Sequence, residues 1–227
     1  MTIRCIAFDL DDTLWACKPV IEHAERRFYA WLEIHYPRIT QHHTSAELVK
    51  KRVSYMQQYP ELHYNLTRLR KNWLATLATE YAYPQTMVDD GFEIFWLARN
   101  EVTFFDGTLE VLHALAEKFV MGVISNGNAN VHHIGVGHLF QFVHSAAEAG
   151  VAKPHPLIFQ QALAKVNIPP HKAVYVGDDP VRDIQGAANA GLRTVWFNPQ
   201  QQAWPGGTEP DATVTTLAEL KTLIPLL

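Results

Sequence analysis

The sequence predicts an α/β protein, a doubly wound parallel sheet whose chain is interrupted by an all-helical insertion. Three observations lead there. Short apolar runs rich in β-formers alternate with helical patterns through the second half of the chain. A similar run stands alone at the start, and residues 18–100 between the two contain no strand-like run at all. At 227 residues, with 48% hydrophobic and 19% charged side chains, the chain can bury one large core or a core plus one big insertion.

The opening IRCIAFDLDDTL is mostly apolar and ends abruptly in carboxylates, the pattern of a strand buried on both faces. Pro19 then begins a predicted helix with Ile21, Ala24, Phe28, Trp31 and Leu32 on one face, and Pro37 lies beyond its end. Thr44 and Glu47 fit a capping box. Leu66, Leu69, Trp73 and Leu77 form the stripe of a third helix, and Val88, Phe92, Phe95 and Trp96 mark a fourth. This insertion carries its own aromatic core, in which Trp31, Trp73 and Trp96 are read as packing.

Asp106 is placed as the cap of GTLEVLHALAEKF, followed by the strand VMGVIS at 120–125 and FVHSA at 142–146. Pro156 opens PLIFQQALAKV, AVYVG follows at 173–177, and Pro180 opens PVRDIQGAANA, closed by Gly191. TVWF at 194–197 is the next strand. Strands alternating with helices imply parallel pairing through right-handed crossovers. The expected domains are an α/β core of residues 1–17 and 101–227 and a helical domain of residues 18–100.

Nineteen basic against 23 acidic side chains give a formal charge of −4, against the broad basic surface of a general nucleic-acid binder. No apolar run reaches the ~18 residues of a membrane span, and the start meets acids too soon for a signal peptide. A cytoplasmic protein with no nucleic-acid or membrane partner is expected, as a monomer or homodimer. Cys5 and Cys17 make neither a disulfide framework nor a zinc spacing and are read as reduced thiols. The twelve histidines, His132, His133, His138 and His144 among them, show no ligand spacing.

The acids are bunched. Asp9, Asp11 and Asp12 stand at the carboxyl end of the first strand, where open α/β sheets bind their ligands. Alternation along an extended chain turns Asp9 and Asp11 to one side and Asp12 away. Like charges so close raise one another's pKa, and a bound metal or a shared proton relieves them. A solvated acidic turn would explain these three alone. However, Gly177-Asp178-Asp179 ends a second strand with Asp183 one turn onward; such oxygen ligands suit Mg²⁺, and no ligand loop of the Ca²⁺-binding kind is present. Ser125, Asn126 and Gly127 end a third strand with a hydroxyl and backbone N–H groups able to hold an anion, and Lys153 precedes a proline in VAKPHP. Together these strand ends make a site for a doubly charged oxyanion beside a divalent cation.

These residues resemble the motifs of the haloacid dehalogenase-like (HAD) hydrolases. Asp9-Leu10-Asp11-Asp12-Thr13 is similar to that family's first motif, Ser125 in ISNGN to its second, Lys153 in KPHP to its third, and Gly177-Asp178-Asp179 with Asp183 to its fourth. Order and spacing cover residues 3–197. An insertion between the first and second motifs resembles the helical cap of the family's first subclass, which selects the substrate. The tail PDATVTTLAELKTL resembles the family's closing strand and helix. Short strings, DLDDTLW, PVI, TRLR at 67–70 and NGN, look most like a bacterial branch of flavin mononucleotide and sugar-phosphate phosphatases.

The resemblance implies a Mg²⁺-dependent phosphatase acting on small phosphomonoesters. Asp9 would be the nucleophile that becomes an aspartyl phosphate, and Asp11 the general acid and then base. Mg²⁺ would be held by Asp9, the Asp11 backbone carbonyl and Asp178. Ser125, Asn126 and Lys153 would bind the phosphoryl group, with Asp179 and Asp183 orienting metal waters or Lys153, and Thr13 bonding locally to fix the loop. Flavin mononucleotide leads the expected substrates, before sugar phosphates and nucleoside monophosphates. The family's dehalogenases lack an acid at the second position, so Asp11 speaks for phosphate. Phosphomutases keep both acids and remain an alternative. Arg68, Arg70 and Lys71 are candidate contacts to an anionic leaving group, and Trp15 either stacks on substrate or packs. A signalling receiver would order its acids differently, and a silent binding protein of this fold would have lost an acid from the first or fourth motif.

Overall fold

The computed structural model describes residues 2–227, in two compact units: residues 2–16 with 103–227, and 17–102. The chain enters through strand β1 (Cys5–Phe8), all four residues buried, as its unbroken apolar run requires.

The helical unit follows. Helix α1 (Cys17–His35) starts two residues before Pro19, and buries Val20, Ala24, Phe28 and Leu32. The short α2 (Pro37–Thr40) begins on Pro37. Thr44 and Glu47 form the expected reciprocal capping box on α3 (Ser45–Gln57). Helix α4 (Leu66–Glu80) buries Leu69, Trp73 and Leu77, and α5 (Thr86–Arg99) buries Met87, Phe95 and Ala98. Phe28, Leu32, Trp73, Leu77 and Phe95 belong to one apolar cluster, with Trp31 packed against it.

That core also holds a charge cluster the stripes did not signal. Glu25 is buried and takes guanidinium N–H donors from both Arg52 and Arg70. The Arg70 guanidinium lies 3.2 Å from the centroid of the Phe95 ring. Arg70 is therefore engaged in holding three helices together, and Lys71 pairs with Asp89 at 2.7 Å. Of the three basic residues proposed for a leaving group, Arg70 is buried and Lys71 partly so, while Arg68 is exposed.

The chain re-enters the α/β unit and runs through α6 (Thr108–Ala116), β2 (Val120–Ser125), α7 (Val131–Ile134), β3 (Phe142–Ser145), α8 (Ala146–Ala149), α9 (Pro156–Ala164) and β4 (Ala173–Gly177). A π-turn over Pro180–Gln185 then leads into α10 (Gly186–Asn189), β5 (Arg193–Phe197), β6 (Ala212–Val214) and α11 (Leu220–Leu223). The cap of α6 is Gly107 at φ 74°, not Asp106, because the chain enters this helix through a left-handed residue that glycine takes without strain.

All six strands are parallel, in the order β3-β2-β1-β4-β5-β6. The chain order reverses beside β1, so the carboxyl ends of β1, β2 and β4 flank the topological switch point, where such sheets open a binding crevice. Among the described residues, no helix is long and apolar enough to cross a membrane.

Candidate active site

Asp9 and Asp178 sit just past buried strands, and Ser125 ends one. Asp9 extends β1 by one hydrogen bond, its N–H donating to the Val176 carbonyl at 2.9 Å. The chain then turns: Leu10 accepts from the N–H groups of Thr13 and Leu14, Asp12 takes φ 61°, and the Asp12 N–H donates to the Trp15 carbonyl at 2.7 Å. Asp tolerates that left-handed position better than most residues. The turn brings Trp15 back beside Asp11, where its indole Nε1–H donates to Asp11 Oδ1 at 2.9 Å. Trp15 is fully buried, edge-on to Phe104, so it packs and offers no face for stacking.

Lys153 lies at the centre, almost fully buried. Its ammonium donates to Asp9 Oδ1 at 2.7 Å, to Asp183 Oδ1 at 2.7 Å and to Tyr175 Oη at 2.8 Å, which uses all three N–H donors. Tyr175 in turn donates to the Ile124 carbonyl at 2.7 Å, tying Lys153 to the strand that ends in Ser125. Tyr175 was hidden in the sequence, since in AVYVG it reads as one more β-former.

Asp183 is held from both sides. Its Oδ2 accepts from the Asp179 N–H at 3.0 Å, and its carboxyl lies where a Cβ on Gly177 would stand, at 2.4 Å. The glycine of Gly-Asp-Asp is therefore demanded by the approach of Asp183. Asp179 caps the following turn, accepting from the N–H groups of Val181 and Arg182. Thr13 makes a long-range bond instead of the local one expected, donating to Asp178 Oδ1 at 3.1 Å. The Asp178 carbonyl accepts from Trp196 Nε1 at 2.7 Å.

On the β2 side, Ser125 is buried and its Oγ accepts from the Gly127 N–H at 3.0 Å. The Asn126 side chain clamps the backbone of Lys153, accepting from its N–H at 2.7 Å and donating to its carbonyl at 3.0 Å. The Lys153–Pro154 peptide is cis.

Carboxylate oxygens of Asp9, Asp178 and Asp183 all lie within 4.8 Å of one another. Three carboxylates against one ammonium leave an excess of negative charge in a buried place. Burial, helped by Asp183 and opposed by Lys153, pushes the Asp9 carboxyl up to about 8. Burial and Asp183 push Asp178 up to about 7, against the pull of the Thr13 hydroxyl. Burial alone would lower the Lys153 ammonium, but Asp183 and Asp9 hold it above the usual lysine range. A hard divalent cation with oxygen ligands fits this donor set and its charge, and a cleft of about 450 Å³ lined by Asp12, Asp178, Asp179 and Trp196 leaves room for water beside it.

The chain matches the haloacid dehalogenase-like hydrolases over residues 3–191. It belongs to that family. As a HAD-like hydrolase it is 28% identical to the 5-amino-6-(5-phospho-D-ribitylamino)uracil phosphatase YigB of Escherichia coli (strain K12), over 98% of this chain and 96% of that protein. It is 33% identical to the glyceraldehyde 3-phosphate phosphatase of Pyrococcus furiosus, over 86% and 80%. Among solved structures, a 2-haloacid dehalogenase from Pseudomonas syringae pv. Tomato DC3000 superposes with a TM-score of 0.91 and 35% identity, covering 97% of each chain. Asp9, Asp183 and Tyr175 thus meet at Lys153, whose backbone the Asn126 side chain clamps, while Trp15 partners Asp11.

Proposed function

We propose that this chain is a Mg²⁺-dependent phosphatase that hydrolyses small phosphomonoesters through an aspartyl phosphate on Asp9. The carrying observation is the pair of acids on one turn: Asp9 bonded to Lys153, and Asp11 held apart from it by Trp15. The ion pair with Lys153 opposes the burial that raises the Asp9 carboxyl, and the charge of bound Mg²⁺ would add to it, so that the ionised Asp9 oxygen attacks phosphorus as the ester oxygen departs. Asp11 gives its proton to that oxygen, then takes one from the water that cleaves the aspartyl phosphate. Lys153 already has three acceptors, so it reaches a phosphoryl oxygen by exchanging one of them. The neutral Tyr175 hydroxyl is the one whose loss separates no charges. Ser125 supplies a hydroxyl and Asn126 its backbone N–H, its side chain being engaged with Lys153.

The side chains of Asp9 and Asp178 and the Asp11 carbonyl would hold Mg²⁺, which when bound offsets repulsion between nucleophile and phosphate. Asp183 and Asp179 set the position of Lys153 and of the strand end. The helical unit is the candidate cap that selects among esters, and residues 1–17 with 101–227 form the catalytic core. Similarity to YigB supports esters carrying a 5-phosphoribityl chain on a nitrogen heterocycle, a feature flavin mononucleotide shares. Sugar phosphates follow, as the glyceraldehyde 3-phosphate phosphatase suggests.

A second reading, 2-haloacid dehalogenation, is favoured by the dehalogenase superposition. Asp11 stands against it, because displacement of halide needs no proton donor to the leaving group. The deciding experiment measures phosphate release from flavin mononucleotide, ribityl, sugar and nucleoside monophosphates, and halide release from 2-chloropropionate, each with Mg²⁺ or EDTA. Mg²⁺-dependent phosphate release that vanishes in Asp9→Asn supports the phosphatase. Halide release without phosphate release would replace it with the dehalogenase.

A further inference from the structure

We propose that Trp15 is a positioning residue for Asp11, fixing which of its two carboxyl oxygens carries the transferable proton. This rests on the reading of Asp11 as general acid. The indole Nε1–H donates to Asp11 Oδ1 at 2.9 Å. An indole nitrogen donates and cannot accept, and a carboxyl's carbonyl oxygen accepts better than its hydroxyl oxygen, so the indole favours the unprotonated form at Oδ1. The proton of the neutral acid is thereby biased toward Oδ2. A histidine or tyrosine in the same place could donate or accept, and would leave both arrangements open.

The donor is itself immobile. Trp15 is fully buried, with its ring edge-on to Phe104 at 5.5 Å between centroids. Its backbone pairs with that of Phe104, and its carbonyl accepts from the Asp12 N–H at 2.7 Å. The next residue inward is pinned as well, since the Phe105 N–H donates to the Leu14 carbonyl at 2.9 Å. The acid therefore hangs from a rigid donor, although it sits on a turn. A general acid contributes on the order of 10²- to 10⁴-fold only while its proton points at the departing oxygen.

The test uses leaving groups of different demand. Single-turnover cleavage is measured with Mg²⁺ on p-nitrophenyl phosphate, whose phenolate departs with little protonation, and on flavin mononucleotide, whose alkoxide needs it. Trp15→Phe keeps a ring against Phe104 and removes the donor. Cleavage of the alkyl ester is expected to fall about tenfold or more, while that of the aryl ester stays within about twofold. Parallel losses on both esters, or none, overturn the proposal. Phe104→Leu disturbs the same packing and keeps the indole N–H. It should lower the melting temperature and leave the alkyl-to-aryl ratio unchanged, and an equal change in that ratio assigns the effect to packing and overturns the proposal.

Asp11→Asn separates the two levels of the argument. If it cleaves the alkyl ester as fast as wild type, the general-acid reading fails. If it is impaired while Trp15→Phe is not, the positioning role alone fails. Because Trp15→Phe could unfold, the Trp15 indole proton is also followed by NMR in folded protein. Its resonance should move on Asp11→Asn, and an unmoved resonance overturns the proposal.

Discussion

Lys153 is the residue on which the electrostatics of the site turn. One buried ammonium faces the carboxylates of Asp9 and Asp183 at hydrogen-bond distance. Replacing it by methionine keeps the volume and removes the partner of both acids, so at about pH 9, above the Asp9 value of about 8, Lys153→Met should cost about 3–5 kcal/mol in a urea titration of the metal-free protein. A loss under about 1 kcal/mol there would mean that these ion pairs add little to stability. The pH dependence has a definite sign. Asp9 and Asp178 hold protons up to about 8 and about 7 in the folded chain, far above their ordinary range, so the folded state binds more protons than the unfolded one. Their contribution is complete below about pH 4 and is lost as pH rises through 7 and 8. In EDTA the melting temperature should therefore fall across that window, and Mg²⁺ should raise it most at the alkaline end. A flat profile in EDTA would contradict the crowding of carboxylates. Much of this site was legible in the sequence because Asp9, Asp178 and Lys153 are polar residues breaking apolar patterns. Tyr175 and Trp15 were not, because a buried aromatic that uses its polar atom looks in sequence like any other core aromatic.

Elements position these groups by what they exclude as much as by what they carry. Strand β4 ends in Gly177, and the space its missing side chain leaves is filled by Asp183 from the following π-turn. Gly177→Ala should push that carboxylate off Lys153. We expect activity on the best ester to fall by more than tenfold for a stability loss of about 1–3 kcal/mol, the usual cost of overpacking. Activity unchanged in a folded variant would show that Asp183 tolerates displacement. The strands were readable because each is a short apolar run closed by polar residues, and the capping box of α3 was readable because its chemistry is local. Helix entries were less so. Asp106 has the composition of a cap, but the left-handed φ of Gly107 sets the start of α6, and φ is not written in side-chain polarity. The Glu25–Arg52–Arg70 cluster escaped for a related reason: charges on three separate helices meet only after folding.

At the scale of the whole molecule, the helical unit is one continuous insertion, residues 17–102, whose apolar cluster is built from its own helices. The α/β unit closes the gap it leaves. Trp15 and Phe104 form an antiparallel bridge, and the Phe105 N–H donates to the Leu14 carbonyl at 2.9 Å. The chain therefore departs and returns as two segments joined side by side at one antiparallel bridge, a geometry that a hairpin loop of about two to five residues can join. Neither Lys153 nor any of its three acceptors comes from the insertion, so excision leaves the charge balance of the site intact. A variant lacking residues 17–102, closed by a short glycine-rich loop, should retain cooperative unfolding and Mg²⁺-dependent stabilisation. It should still cleave p-nitrophenyl phosphate, more slowly, since the proposed function draws its chemistry from the α/β unit. Preference among alkyl phosphates should flatten, because in the proposed function discrimination belongs to the helical unit. Circular dichroism, thermal melts with and without Mg²⁺ and the same ester panel measure the three outcomes. A folded deletion variant that kept the full ranking of esters would place specificity in the strand-end loops and remove the reason for calling the helical unit a cap.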